Sequence, residues 1–354
     1  MDLKDSAITS SRKDEHIKIC LKKDVQFDNR SNGFRYLDLH PSLIIDIHPD
    51  EIDLSSEFLG KKVDSPILIS GMTGGSSLGK KYNDLFAEAC NEFNIGMGVG
   101  SQRAAIENPS LSETFEIRKI APEIPLLANL GIAQFLKGYG IKEIETAVEM
   151  IKADALAIHI NPLQEFLQRE GDKILVNIIP KLSELTSKTP TPIVLKGVGT
   201  GISMDDARDM SKLDIYAIDV AGVGGTNWSK IESYRNPDLE NLSPELINWG
   251  TNTALSINNA EIGTKSTEIK IIASGGIWSG TDAVKSFLVG ADYVSLALPI
   301  LKAAAKGGIE ELRSFLTSYI FEMRTVMSMI GAKSVKELKK RRHKFIGRDY
   351  ILSD

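Results

Sequence analysis

Eight short apolar runs punctuate the chain, and each ends in glycine or a small polar cluster. They are SPILISGMTGG (65–75), NIGMGVGSQR (94–103), IPLLANLG (124–131), ALAIHINP (155–162), TPIVLKGVG (191–199), DIYAIDVAGVGGTNW (214–228), IKIIASGG (269–276) and ADYVSLALP (291–299). Between them, segments such as KKYNDLFAEACNEF (80–93) and KEIETAVEMIKA (142–153) carry apolar residues at helical spacing. Near-continuous apolar strands alternating with helices predict parallel strands buried on both faces. Eight such units predict an α/β fold, a closed (β/α)8 TIM barrel.

Two regions depart from the repeat. After the sixth run, the stretch from Asn227 to Ile269 is polar and rich in Asn, Ser and Pro, which reads as a long loop or insertion after strand 6. Residues 1–60 form an N-terminal extension: a charged, mobile arm over 1–30, then short strands or turns that plug the bottom of the barrel. The division expected is therefore 1–60 for the arm and plug and 61–354 for the barrel with its C-terminal helices. The basic run KELKKRRHKF (336–345) reads as a solvated helix face.

Composition narrows the setting. The 354 residues carry a formal charge of −5, which argues against a nucleic-acid binder. Cys20 and Cys90 are the two cysteines, too few for a disulfide framework, so a reducing, cytoplasmic setting is expected. The polar start MDLKDSAITSSRKDEH does not resemble a signal peptide, and no run of apolar residues is long enough for a membrane span.

In such a barrel the chemistry belongs at the C-terminal ends of the strands. The fourth run ends in HINPLQE (159–165), which places His159, Asn161, Gln164 and Glu165 at one rim. Lys196 closes the fifth run, where a lysine meets an anionic or electron-rich partner, forms a Schiff base, or snorkels to solvent. Gly224–Gly225–Thr226 and Gly275–Gly276 follow the sixth and seventh runs, where they either make tight turns or let backbone N–H groups approach a phosphate. Glu165 is either a helix N-terminal carboxylate or a magnesium ligand. Arg12 and Lys13 lie on the arm with no core to join, as a solvated tail or as a basic pair that closes over an anion with Arg103.

Taken in order, RKDEH (12–16), SGMTGG (70–75), GVGSQR (98–103), HINPLQE (159–165), LKGVG (195–199), DVAGVGGTNW (219–228) and ASGGI (273–277) resemble the type 2 isopentenyl diphosphate isomerases, which are FMN-dependent. The resemblance implies an FMN site at Met72, Thr73, Gly74, Ser101, Asn129, Lys196, Thr226, Gly275, Gly276, Ile277, Ala297 and Leu298. It implies substrate contacts from Arg12, Lys13, Ser101, Gln102, Arg103 and Gln164, catalytic roles for Gln164, His159, Asn161 and Lys196, and Mg²⁺ on Glu165. One departure is Ala221, where many relatives carry serine; it removes one expected FMN hydrogen bond.

The activity implied is interconversion of isopentenyl diphosphate and dimethylallyl diphosphate by a 1,3 proton shift. Reduced FMN would serve as acid and base, with NADPH as its reductant, in a homotetramer or homo-octamer. Gln164 would orient or relay, since an amide does not titrate near neutrality. The alternatives are an FMN-dependent oxidoreductase of a small hydroxy acid, a lysine aldolase, and a flavin- or phosphate-binding regulator without catalysis. The first wants a histidine after the seventh strand, where SGGIWSGTDA (274–283) has none.

Overall fold

A computed structural model describes residues 3–173, 175–340 and 346–347, with side chains described between residues 12 and 340. The second half of the basic run, 341–345, lies outside the described residues; its first half belongs to the short helix Val335–Lys340.

Each of the eight apolar runs contains one strand: β1 (Ile67–Ile69), β2 (Gly96–Gly98), β3 (Leu126–Gly131), β4 (Ala155–Ile160), β5 (Ile193–Gly197), β6 (Ala217–Asp219), β7 (Lys270–Ala273) and β8 (Tyr293–Leu296). Every strand pairs in parallel with the next, and β8 returns to β1 through Val294↔Ile67, Ser295↔Leu68 and Leu296↔Ile69, which closes the barrel. The strands run apolar on both faces because helices cover the outside and side chains fill the inside.

Alternation of side chains along a strand sorts the interior into levels. Leu68, Leu127, Ala157, Val194, Ala217, Ile272 and Tyr293 form one inner cluster. Two residues further along the same strands stand Ser70, Asn129, His159, Lys196, Asp219, Ser274 and Ser295. The inner face therefore changes from apolar to polar within a single pleat, just where the strands end.

The bottom is sealed by a hairpin, Ser56–Phe58 with Lys61–Val63. Its two loop residues, Leu59 and Gly60, both have positive φ (53° and 76°), the requirement of the tight turn that matches strand twist. Leu59 tolerates a conformation that ordinarily disfavours side chains, and its N–H donates to the Tyr216 hydroxyl at 3.0 Å. Phe58 is fully buried in the inner cluster, edge-on to Tyr293 at 4.7 Å and Tyr216 at 5.6 Å.

The arm departs from expectation, and the stretch after β6 is the insertion expected there. The arm is a helix, Leu3–Lys22, and it does join a core: Ile17 and Cys20 are buried. The stretch after β6 is also helical, with Trp228–Arg235, a 3-10 turn at Pro237–Leu239, Pro244–Ile247 and Thr253–Gly263. Its polarity has a local cause: Asn227, Asn236, Ser243 and Asn252 each cap one of these elements by accepting a backbone N–H. Residues that read as loop formers are helix starts.

After β8, the helix Leu298–Met329 begins at the barrel mouth and is broken at Gly307–Gly308. Replacing Phe58 with alanine should cost about 3–5 kcal/mol, the usual loss for emptying a core aromatic, seen as a lower urea midpoint. The same change at the exposed Phe321 should stay within about 0.5 kcal/mol. Equal effects at the two positions would show that the hairpin does not close the barrel.

Candidate active site

The strand ends open into one large cavity, with about 1690 Å³ of empty space counted to its open mouth. The arm helix roofs it. Arg12, Lys13, His16, Ile17 and Cys20 all face the cavity, and their spacing places them on one helical face. That spacing was present in the sequence and is the signal that the arm is ordered.

One end of the cavity is cationic. The Lys13 ammonium donates to the Ser101 carbonyl at 2.6 Å and lies 4.9 Å from the Phe115 ring centroid. Burial, with Arg12 beside it, pushes Lys13 down to about 7. Arg12 is likewise lowered, mainly by burial, and its nearest carboxylate is Glu170 at 3.9 Å. Arg103 also lines the cavity, but its Nε is paired with Glu107 at 2.8 Å. A cluster of poorly compensated cations in a cavity suits an anion.

A second group runs from the arm to β4. Glu232, on the helix Trp228–Arg235, is almost fully buried and accepts at one oxygen from both His16 (3.1 Å) and Gln164 (3.0 Å). Its other oxygen takes Arg235 at 2.6 Å. Burial alone would raise the Glu232 carboxyl, but these three partners hold it below its usual value. Sequence reading missed Glu232, since it lies in the segment read as loop and no motif marks it. Asn161 donates to Gln164 and Glu165, both at 3.1 Å, and Glu165 also accepts from the Asp172 N–H at 2.7 Å. Burial raises the Glu165 carboxyl.

His159 sits between β3 and β5. Burial, then the charges of Lys196, Lys13 and Arg12, lowers it to about 4, so the ring is neutral near pH 7. Its Nδ1 lies 2.9 Å from Asn129 Oδ1. An amide oxygen only accepts, so Nδ1 carries the proton and Nε2 is left as an acceptor.

The opposite end is built from backbone. Gly225, Thr226, Gly275, Gly276, Ile277, Ala297 and Leu298 line it, with Leu298 opening the long C-terminal helix. Gly275 and Gly276 have φ of 98° and 75°. A side chain at either would strike the backbone of residues 222–225, so these glycines serve the tight turns as well as the cavity wall. Between the two ends, Lys196 pairs with Asp219 at 3.3 Å, which decides against a lysine that snorkels to solvent. Met72, Thr73, Ser101 and Asn129 complete the wall.

Two residues expected at the site do not line the cavity with their side-chain positions. Gln102 is fully buried away from the cavity: it accepts from the Asn129 N–H at 2.9 Å and donates to Ala147 O at 2.8 Å. Its side chain holds the strand that carries Asn129. Gly74 is also off the cavity wall, because the Phe115 ring packs where its side chain would be. Two buried polar atoms on the wall have no hydrogen-bond partner among the described residues, Thr73 Oγ1 and Asn161 Oδ1. Buried polar groups are normally bonded, so both mark where a ligand would bond.

Comparison with known proteins agrees with this geometry. The family model for FMN-dependent dehydrogenases matches residues 147–344. An isopentenyl-diphosphate delta-isomerase of Thermococcus onnurineus is 46% identical, covering 94% of this chain and 90% of its own. That of a Nostoc species is 41% identical, with 95% of each chain covered. Among solved structures, a flavocytochrome b2 variant with benzoylformate matches with a TM-score of 0.63 at 18% identity over 87% of this chain and 76% of that one. A mandelate oxidase variant with 2-hydroxy-phenylacetamide gives 0.62 at 14% identity over 96% of each. At such low identity these structures speak for the barrel fold alone.

Lys13, at about 7, is largely neutral at pH 8, and a bound anion should raise it again. Calorimetric titration with inorganic diphosphate at pH 8, in buffers of different ionisation heat, should therefore show proton uptake that Lys13→Met lacks. Affinity should fall as pH rises above 7. Identical uptake by the two proteins would place the anion away from Lys13.

Proposed function

The chain belongs to the FMN-dependent dehydrogenase family and to the isopentenyl-diphosphate delta-isomerases, and from that premise we propose how its cavity serves the isomerase reaction. The protein is an isomerase that interconverts isopentenyl diphosphate and dimethylallyl diphosphate. The observation that carries the reading is a single cavity that holds both the Arg12, Lys13 and Arg103 cations and the backbone wall from Gly275 to Leu298, with unpartnered Thr73 Oγ1 and Asn161 Oδ1 on its wall.

FMN fits the backbone-lined end. Gly275, Gly276, Ile277, Ala297 and Leu298 would hold its phosphate, the last at a helix N-terminus. Thr73, Ser101, Asn129, Lys196 and Thr226 would hold the ring and ribityl chain, with Met72 against them. When bound and reduced, FMN supplies an electron-rich ring and an exchangeable proton. Lys196 keeps an ammonium donor at the ring's side of the cavity.

At the cationic end, Arg12, Lys13 and Arg103 bind the diphosphate. Magnesium fits here as well. Among the described residues no three His, Cys, Asp or Glu side chains gather into a metal cage. Glu165 and the unpartnered Asn161 Oδ1 offer hard oxygen donors to an ion that takes most of its shell from phosphate and water. The cation would neutralise phosphate charge and hold Glu165 ionised against the burial that raises it.

Moving the double bond requires a proton added at one alkene carbon and another removed two carbons away. The carbocation-like species between must be kept from water, which the arm helix does by roofing the cavity. Neutral His159 offers an acceptor at Nε2 and orients without protonating. Gln164 faces the same space and is aimed by Glu232, while the arm reaches the same carboxylate oxygen through His16. Closure of the arm and orientation of Gln164 thus share one hydrogen-bond acceptor. The reading further takes NADPH as the reductant, a cytoplasmic setting, and a homotetramer or homo-octamer. Among the described residues, no helix is long and apolar enough to cross a membrane.

The hydroxy-acid oxidoreductase reading wants a histidine directly after β7, and residues 274–283 hold none; among the described residues, His16 and His159 are the histidines on the cavity wall. The decisive experiment is an anaerobic assay of the purified yellow protein with FMN, reductant, Mg²⁺ and isopentenyl diphosphate. Dimethylallyl diphosphate should form with no net oxidation of reductant per turnover; oxidation of a 2-hydroxy acid instead would overturn the reading. In the same assay Glu165→Gln should lose its dependence on Mg²⁺. An unchanged magnesium titration would move the metal off Glu165.

A further inference from the structure

Lys196 is held from behind by a network that none of the roles above uses. Asp219 ends β6 in register with Lys196 near the end of β5, and its side chain lines a second, small cavity inside the barrel and not the main one. One carboxylate oxygen meets the ammonium at 3.3 Å. The other accepts from the Ser274 hydroxyl, and Ser274 Oγ in turn accepts the Ala221 N–H at 3.1 Å. Ala221 is a non-glycine residue at φ 38°, a strained conformation that this bond helps hold. Asp219 is 4% exposed.

Resting on the FMN reading, we infer that Asp219 is a positioning residue for Lys196 that also offsets its charge at the flavin. An ammonium has three donors. Asp219 takes one and Gly197 O, at 3.3 Å, another; that leaves one for the cavity that Lys196 lines. Asp219 sets a carboxylate against the ammonium before any ligand arrives. Its negative charge then opposes the attraction of Lys196 for an anionic reduced ring. The flavin is therefore held less strongly reduced than Lys196 alone would hold it.

The test is the FMN midpoint potential of the holoenzyme, measured for all variants at one pH. In Asp219→Asn the oxidised–reduced equilibrium should shift at least tenfold toward the reduced form, about 30 mV for a two-electron couple. Asp219→Glu, which retains the charge, should stay near wild type even if FMN binds more weakly. If Asp219→Asn does not fold, Asp219→Ser gives the same reading with a smaller neutral group. A purely structural Asp219 would change stability or FMN affinity in all variants and leave the potential in place; that result, or a lower potential in the neutral variants, overturns the inference. Wild-type protein that binds no FMN would sink the FMN reading itself, and this inference with it.

Discussion

The closed barrel allows one place for chemistry. Its lower interior is filled by apolar side chains and stoppered by Phe58, so no polar group can be accommodated there without the cost of an unbonded buried dipole. At the next inward position the strands end and neighbours become loops, glycines and helix starts. Ser70, Asn129, His159, Lys196, Asp219, Ser274 and Ser295 all occupy that level. Parallel register makes them neighbours across strands, as in His159↔Lys196 and Lys196↔Asp219. The site is thus a consequence of where a two-residue period meets the edge of a packed core.

Buried charge shapes everything above that level. Arg235 is satisfied by Glu15, Glu170 and Glu232, and Lys196 by Asp219. Arg12 and Lys13 have weaker compensation and are pulled toward neutrality by burial. Paired cations fix geometry, while underpaired ones wait for an anion. That difference separates supporting residues from ligand-binding ones more sharply than burial does, because both kinds are buried.

The strands were legible because their signal is local: an apolar run of the right length followed by a break. The cavity wall was legible largely through motif resemblance, as Thr73, His159, Gln164, Glu165 and Lys196 show by their common cavity. What could not be read depended on packing. Gln102 belongs to a motif beside Arg103, yet its side chain turns inward to hold Asn129, a choice set by neighbours distant in sequence. Gly74 is filled over by Phe115, 41 residues later in the chain. Asp219 looks like part of an apolar strand, and Glu232 lies among helix caps that resemble loop residues. Only the three-dimensional pairing with Lys196 and Gln164 marks them.

The barrel itself supplies a backbone-lined wall and a lysine near the end of the fifth strand. Two additions lie outside the barrel repeat: an arm helix bearing Arg12, Lys13 and His16, and an inserted helix bearing Glu232 and Arg235. These two additions bind each other, through His16–Glu232 and Glu15–Arg235, and they meet at the end of the cavity opposite the glycines. A barrel whose own strand ends favour a phosphate-bearing cofactor thereby gains a second anion site and a roof. Proton movement within a closed, dry cavity needs that roof more than it needs a strong side-chain acid. Near neutrality the strand-end histidine is uncharged and Gln164 cannot titrate. Selectivity for isomerisation over oxidation would then lie in the added helices and in how strongly Lys196 is balanced, with the barrel itself unchanged.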